Sequence, residues 1–246
     1  MFINTKYRSD ESEIMDDFAL EGEVLRDALD KIAKINQFLG GNHLTLRGVQ
    51  DLIQNHSKTN EITIVDVGCG NGDMLRTLAE YGAKNNFSFS LIGIDANDFT
   101  IKYAQQLSKE YSNISFECQD IFDENFEQLK YDIVLCTLTL HHFKEDEILK
   151  LMAVFNANST IGIVINDLQR SAVAYLLFQL VCFLFRLNSM SRQDGLTSIL
   201  RGFKKEELID FSKKLKLNNY KIQWKWAFRY QWIIEKVRSG KLEVGI

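Results

Sequence analysis

The segment 62–73, ITIVDVGCGNGD, constrains the fold of this chain more than any other. Its first half is apolar and rich in β-branched residues, which predicts a strand buried on both faces of a parallel sheet. Its second half carries a glycine at every second position, and an apolar helical periodicity follows at Leu75, Leu78 and Ala79. Glycine lets a backbone approach a ligand without an intervening Cβ. A strand, a glycine-rich turn and a helix in this order predict an α/β fold that binds a nucleoside-bearing cofactor.

The acidic residues around this turn indicate which cofactor it suits. The dinucleotide fingerprint needs a third glycine at the position of Asp73. Asp66 lies just before the turn, where a carboxylate would repel a pyrophosphate but would attract a cofactor that carries an ammonium and a sulfonium. S-adenosylmethionine is such a cofactor, whereas NAD is expected to bind poorly.

Four motifs of the chain resemble those of the class I S-adenosylmethionine-dependent methyltransferases. The first is DVGCGNGD at 66–73. LIGIDAN at 91–97 is similar to the strand whose terminal acid holds the ribose hydroxyls in that family, and ISFECQDIF at 114–122 is similar to its adenine-binding turn. YDIVLCTLTLHHF at 131–143 resembles the strand that ends beneath the transferable methyl. The motifs follow one another in the family's order and spacing, over about residues 60 to 168.

The resemblance implies a set of cofactor-binding residues. Asp95 would pair with both ribose hydroxyls in a charge-assisted bidentate contact, and it could also cap the helix that follows. Asp120 would accept a hydrogen bond from the adenine amino group, although Asp123 could do the same or cap a helix. In full, the expected residues are Asp66, Gly68, Gly70, Asn71, Asp95, Ala96, Asp120, Ile121 and Thr137.

The alternation of apolar periods predicts an α/β fold with a doubly wound, mostly parallel, Rossmann-like sheet. Strands are predicted at 61–67, 89–95, 113–118, 131–138 and 160–167, and helices at 14–38, 44–55, 72–83, 97–110 and 145–156. The tail at 220–237 predicts two closing strands, one of them antiparallel, which gives seven strands. We expect an N-terminal helical cap over 1–58 and a methyltransferase domain over 59–246 that carries a helical lid insertion at 170–203.

Composition excludes several classes of partner. The net charge is −4 and the basic residues are dispersed among acids, so no nucleic-acid partner is expected. The four cysteines form no CxxC pair, which predicts reduced thiols in a cytoplasmic protein and neither a disulfide framework nor a metal site. The first residues lack an apolar run of the export type. Proline is absent, which excludes the Asn-Pro-Pro motif of methyltransferases that modify amino groups of DNA bases.

An apolar insert at 171–185, SAVAYLLFQLVCFLF, is the most unusual part of the chain. As a helix its apolar run of about 14 residues would span roughly 21 Å, which is less than the bilayer core of about 30 Å. No transmembrane segment is therefore expected, but a helix that is apolar on all sides needs a cover. Three ways of removing this helix from water are possible: burial as a lid or in a homodimer, the lining of an apolar acceptor pocket, or contact with a membrane surface.

Candidate catalytic residues follow the fourth and fifth predicted strands. Methyl transfer from a sulfonium needs mainly positioning, and a base only where the acceptor must lose a proton. His141 and His142 lie at the carboxyl edge where ligands bind in open α/β sheets. Consecutive side chains diverge, so one histidine is expected to face the pocket, with His142 favoured. Asp167 lies at the same edge and is the third catalytic candidate.

Three residues are candidates for binding the acceptor. Arg170 could orient a phenol or carboxylate, or could pair with Asp167. Arg192 could bind a planar anion, or could belong to a solvated loop that leads into a helix. Tyr175 lies in the apolar insert and is expected to contact the acceptor from the lid.

Together these features predict methyl transfer from S-adenosylmethionine to a small, fairly apolar acceptor. O-methylation of an aromatic or polyketide-like compound is the first expectation, and C-methylation of a quinone is the alternative. A non-catalytic binding module that keeps the cofactor fold is a rival of a different class. Methylation of protein or RNA would need a basic or extended groove, which the acidic balance and apolar insert disfavour.

Overall fold

The computed structural model describes residues 3–54, 56 and 60–236. Within these ranges the chain forms one seven-stranded sheet. The strands are β1 (Ile62–Val67), β2 (Phe89–Asp95), β3 (Ile114–Cys118), β4 (Tyr131–Thr137), β5 (Ser159–Leu168), β6 (Tyr220–Lys225) and β7 (Arg229–Glu235).

The sheet has the order β3-β2-β1-β4-β5-β7-β6. All neighbouring pairs from β3 to β5 are parallel, and β7 runs antiparallel to both β5 and β6. The predicted Rossmann-like sheet with one reversed strand is thereby confirmed. The chain order reverses between β1 and β4, and such a switch point is where open α/β sheets bind ligands.

Helices cover both faces of the sheet and one of its edges. The helices are α1 (Glu23–Phe38), α2 (Gly41–Ile53), α3 (Asp73–Asn85), α4 (Asp98–Leu107), α5 (Glu124–Gln128), α6 (Glu145–Asn158), α7 (Ala172–Leu184), α8 (Ser189–Arg201) and α9 (Lys205–Lys214). Two short 3-10 helices lie at Ile14–Asp16 and Leu140–His142.

The core consists of two apolar layers, one on each face of the sheet. One layer packs Phe155 of α6 and Phe211 of α9 against Trp232 of β7, and all three are almost fully buried. The other packs Leu75 and Leu78 of α3 with residues of α2 and β1. Because these side chains leave water, the sheet is a rigid platform for the loops at its carboxyl edge.

The N-terminal elements differ from the sequence prediction in their bounds. The predicted helix over 14–38 is in fact a short 3-10 turn followed by α1, because Gly22 takes a φ of 93° and interrupts the helical path. The predicted helix over 44–55 already begins at Gly41, and its last predicted residue, 55, lies outside the described residues, as does residue 237 of the predicted tail strand. The segment after the apolar insert is the regular helix α8, which Asn188 caps by accepting from the Ser191 amide.

The apolar insert forms α7, with Ser171 as its cap. Within the single chain only one face of this helix is covered, and a homodimer or a membrane surface stays open as the cover of its outer face. Val173, Leu176, Leu180, Phe183 and Leu184 are each more than half exposed in the single chain, whereas Ala174 and Cys182 are buried. Among the described residues, none of the helices is both long enough and apolar enough to cross a bilayer.

Candidate functional site

The carboxyl ends of β1, β2 and β4 open into a single large cavity of about 1290 Å³. Its other walls come from residues 3–22, which we term the N-terminal segment, and from α1, α7, α8 and the turn before β7. All nine residues expected to bind the cofactor lie on the wall of this cavity. The parallel strands therefore bring together motifs that are far apart in the sequence.

The glycine turn after β1 is held tightly against the neighbouring strands. Gly68 has a φ of 68°, and a Cβ there would lie 2.4 Å from the side chain of Thr139. The amides of Gly68 and Cys69 both donate to the carbonyl of Ile94. Only glycine combines this backbone conformation with this close approach, so the turn presents bare backbone to the cavity.

Asp95 lies at the end of β2 and faces the glycine turn. Its carboxylate accepts hydrogen bonds from the amides of Gly70, at 3.2 Å, and Asn97, at 3.0 Å. Burial raises the pKa of Asp95, although these backbone hydrogen bonds oppose the shift. The cap of α4 is Asn97, which accepts from the Thr100 amide, so Asp95 is not used as the cap.

Asp66 is a buried acid at the end of β1. Its side chain is on the cavity wall and only 2% of the residue is exposed. Burial raises the pKa of Asp66 well above its usual value, and the charges of Asp73 and Asp95 add to the shift. A cationic ligand group would offset this cost, as an ammonium in the cavity would do.

The remaining cofactor candidates surround the glycine turn. Asp120 is half-buried and accepts from the amide of Phe122, while Ile121 is buried beside it. Asn71 accepts from the amide of Asp73. Thr137, at the end of β4, lies 3.1 Å from the hydroxyl of Thr45, and Ala96 lies on the cavity wall next to Asp95. Asp123, the alternative to Asp120, is not part of that wall.

His141 and Asp167 form a buried pair. Nδ1 of His141 lies 2.7 Å from Oδ1 of Asp167, and the other oxygen of Asp167 accepts from the His141 amide. Burial by itself would raise the pKa of Asp167, but the charge and hydrogen bond of His141 lower it. His141 is 2% exposed and Asp167 does not line the cavity. Asp167 therefore holds the imidazole of His141 and does not itself reach the cavity.

His142 is the more accessible histidine, with a quarter of its side chain exposed. Its Nδ1 lies 2.5 Å from Oδ1 of Asp16 in the N-terminal segment. Arg201 of α8 pairs with the other oxygen of Asp16 at 2.7 Å and also donates to the backbone carbonyls of both histidines. Half-burial opposes ionisation of Asp16, but its hydrogen bond with His142 and the histidine's charge lower the pKa of Asp16.

Glu13 completes this cluster from the N-terminal segment. Its Oε2 accepts from Ser198, while Oε1 lies 3.6 Å from Nε2 of His141. Neither of those two facing atoms has a hydrogen-bond partner among the described residues. Burial raises the pKa of Glu13. Glu13, His141 and His142 each offer a ligand atom within 4.8 Å of the others, a grouping that could hold a metal ion and that the sequence did not predict.

The three expected acceptor-binding residues lie away from the cavity wall. Arg170 is buried, with its guanidinium bound to Glu207 and to the carbonyl of Gly202, so it joins the N-terminal segment to α9 and does not pair with Asp167. Arg192 is exposed on α8. Tyr175 is half-buried on a side of α7 that does not face the cavity. In this structure none of the three contacts the space that an acceptor would fill.

Sequence reasoning missed the residues that complete the site from the N-terminal segment. Asp194 binds this segment by accepting from the amides of Ile14 and Met15. Glu13 and Asp16 belong to the acid-rich stretch DESEIMDD at 10–17 and Asp194 to the polar stretch SRQDG at 191–195, so no local spacing distinguishes them from solvated residues.

A family model described as a methyltransferase domain matches residues 58–230. The chain belongs to this family, and its sheet order and glycine turn are those of a class I S-adenosylmethionine-dependent methyltransferase.

Among curated proteins, a ubiquinone biosynthesis O-methyltransferase of Coxiella burnetii is 29% identical over 85 residues, which is 34% of each chain. The protein-lysine N-methyltransferase EFM4 of Saccharomyces cerevisiae is 37% identical over 81 residues, 32% of this chain and 34% of the relative. The matched region thus spans about a third of the length of these curated relatives.

Among solved structures, the plantazolicin methyltransferase BpumL in complex with SAH matches with a TM-score of 0.64 and 16% identity, over 87% of this chain and 94% of that one. The magnesium protoporphyrin IX methyltransferase ChlM from Synechocystis PCC 6803 matches with a TM-score of 0.53 and 18% identity, over 92% of this chain and 89% of that one. At such identities the likeness shows a common fold.

Proposed function

We propose that this chain transfers the methyl group of S-adenosylmethionine to a hydroxyl oxygen of a small, largely apolar acceptor, of aromatic or polyketide-like type. The observation that carries this proposal is the His142–Asp16 pair, which lies on the wall of the same cavity as the glycine turn and Asp95. A base on this wall has a use when the accepting atom must lose a proton.

The residues of the cavity fit the cofactor. Gly68 lets the turn pack against Thr139, Gly70 leaves space beside Leu29, and Asn71 borders this turn. The carboxylate of Asp95 would hold the ribose hydroxyls, with Ala96 beside it. Asp120 and Ile121 would bind the adenine, and Thr137 would lie near the methionine part. The buried carboxyl of Asp66 is suited to a cationic group, because a positive charge would favour its ionised form.

His142 is proposed as the general base. Asp16 has a lowered pKa and stays ionised near neutral pH, so it accepts the Nδ1–H of His142 and leaves Nε2 as the basic nitrogen. Arg201 holds Asp16 in place through its second oxygen. The sulfonium of the bound cofactor supplies an activated methyl group, and the residues of the chain contribute position and a proton acceptor.

The rest of the cavity supports a small and mostly apolar acceptor. Its volume of about 1290 Å³ exceeds the range of roughly 300 to 1,000 Å³ that is typical of a single-ligand site. Phe178 and Val181 of α7 line the cavity, as do Leu25 and Leu29 of α1, of which Leu29 lies beside Gly70 of the glycine turn. Apolar walls also exclude water from the reacting atoms, which strengthens electrostatic interactions there. An O-methyltransferase is among the relatives that match this chain, over 34% of its length.

Turnover with methyl-labelled S-adenosylmethionine tests the proposal. Simple phenols and hydroquinones are the acceptors, and NMR of the product identifies the atom that carries the label. Label on oxygen is the expected result. Label on a ring carbon would favour the alternative, C-methylation of a quinone. Label that appears only when protein or RNA is added would contradict a small acceptor.

A further inference from the structure

Arg229 is a buried cation on the cavity wall. It is the first residue of β7, only 3% of it is exposed, and it lines the cavity. Its Nε and Nη1 atoms are buried and have no hydrogen-bond partner among the described residues. Burial lowers the pKa of Arg229 to about 10, although the charge of Asp167 opposes the shift, so the guanidinium is charged at neutral pH.

Arg229 differs from two other buried arginines of this region, which each form an ion pair with a carboxylate. Arg170 binds Glu207, and Arg201 binds Asp16. The carboxylate of Asp167 is already used by His141 and by two backbone amides. A buried charge without a partner destabilises the folded state even after the structure relaxes around it. Such a group is retained when a ligand supplies the missing charge.

The backbone around Arg229 leaves space for its guanidinium. A Cβ on Gly41 would lie 2.7 Å from Nη1 of Arg229 and 1.9 Å from Oδ1 of Asn36. Oδ1 of Asn36 is also buried without a hydrogen-bond partner among the described residues, and Asn36 lines the cavity. Two unsatisfied polar groups thus share one corner, which lies where α1 and α2 meet β7.

We infer that Arg229 binds a carboxylate group of a ligand in the cavity. The planar guanidinium matches a carboxylate in bidentate geometry. In the sheet order, β4 and β5 separate β7 from β1, so the backbone of Arg229 lies about 14 Å from that of the glycine turn, and its guanidinium lies against Gly41 at the start of α2. This position favours the acceptor as the source of the carboxylate. This assignment of the source rests on the proposed function. The acceptor is then a small aromatic hydroxy acid.

Binding of benzoate and of uncharged benzamide to the protein saturated with S-adenosylhomocysteine tests the site by calorimetry. Benzoate should bind at least tenfold more tightly than benzamide to the wild type. Arg229→Met should abolish that preference, and Arg229→Lys should keep part of it. Arg47→Met removes an exposed arginine of α2 and should leave the preference unchanged. Equal binding of benzoate and benzamide to the wild type would overturn the site.

The thermal midpoint of the ligand-free protein gives a second readout. Removal of an unpaired buried charge should raise the midpoint in Arg229→Met by several degrees. A lower midpoint would mean that Arg229 has a structural role, which contradicts the inference.

Binding of S-adenosylmethionine and of its decarboxylated form to Arg229→Met identifies the source of the carboxylate. If Arg229→Met weakened S-adenosylmethionine binding at least tenfold but left decarboxylated S-adenosylmethionine unaffected, the source would be the cofactor and the acceptor assignment would be overturned. None of these measurements requires turnover. Failure of phenol methylation would therefore count against the proposed function alone.

Discussion

Two parts of the cavity are assembled in different ways. We term the part around the glycine turn and Asp95, proposed to hold the cofactor, the cofactor side, and the part around His142 and Asp16, proposed to hold the acceptor, the acceptor side. On the cofactor side, short motifs at the ends of neighbouring parallel strands meet directly, as when the Gly70 amide binds Asp95. On the acceptor side, the pairs join distant parts of the chain: His142 binds Asp16 across 126 positions and Arg201 binds Asp16 across 185. Sheet topology brings the first side together, and Asn97 also binds the carbonyls of Phe18 and Leu20 there. The second side exists only when the N-terminal segment docks on α8.

This contrast predicts that variants on the two sides affect different steps. His142→Ala should lower kcat by about 100- to 10,000-fold, the usual contribution of a general base. The affinity for S-adenosylmethionine should not change, because His142 is assigned to the acceptor step. Steady-state kinetics with a phenol acceptor, together with calorimetry, measure both quantities. His43→Ala, an exposed histidine of α2, is the matched control. If His142→Ala changed only cofactor affinity, the division between the two sides would fail.

Asp95→Ala should have the complementary effect. Loss of a charge-assisted hydrogen-bonded pair should weaken S-adenosylmethionine binding by about 1.5 to 3 kcal/mol, roughly 10- to 150-fold. Calorimetric titration of the purified chain measures the change. Asp98→Ala, which removes an exposed acid in the first turn of α4, should keep wild-type affinity. Unchanged affinity in Asp95→Ala would remove Asp95 from the cofactor site.

Asp194→Ala should loosen the acceptor side alone. The substitution removes the carboxylate that accepts from the amides of Ile14 and Met15. These two hydrogen bonds attach the N-terminal segment to α8. We expect a loss of about 1 to 2 kcal/mol in the free energy of unfolding and faster amide exchange at those two positions. Denaturant unfolding and hydrogen exchange measure these changes, with Asp210→Ala, an exposed acid of α9, as control. Protection lost equally at β1 and β2 would show that the two sides are not independent.

Asp66→Asn should separate stability from binding on the cofactor side. The pKa of Asp66 is raised in the folded state by burial, so its ionisation opposes folding as the pH rises above the unfolded value. The ligand-free variant should therefore be more stable than the wild type at neutral pH, and this advantage should shrink as the pH falls below about 4, where the unfolded acid also becomes protonated. Thermal unfolding across pH tests the sign. S-adenosylmethionine binding should weaken in the same variant.

The cofactor side could be predicted from the sequence because its constraints are local. A buried strand, glycines with positive φ and an acid at the end of the next strand each leave a recognisable pattern within about ten residues. Sheet topology then brings these patterns to one edge. The five strands that were given individual bounds agree with them to within one residue at each end.

The acceptor side could not be predicted in this way because its partners are set by tertiary packing. Arg170, Arg192 and Arg229 look alike in sequence, yet the first is bound to Glu207, the second is exposed and the third is buried in the cavity wall. Similarly, the pattern of α7 predicts an apolar helix but not which of its faces meets α8. Gly195 of α8 helps to determine which face of α7 packs against it, because a Cβ at Gly195 would lie 2.4 Å from the ring of Phe178.

The N-terminal segment gives the protein a built-in order of events. The segment that roofs the cavity also carries Asp16, the residue that orients His142. Any motion that lifts this roof to admit an acceptor also takes the carboxylate away from the imidazole. The histidine is then correctly oriented only after the roof has closed again. On the proposed role of His142 as the base, proton removal would therefore follow enclosure of the acceptor, and an open molecule that holds only the cofactor would not react.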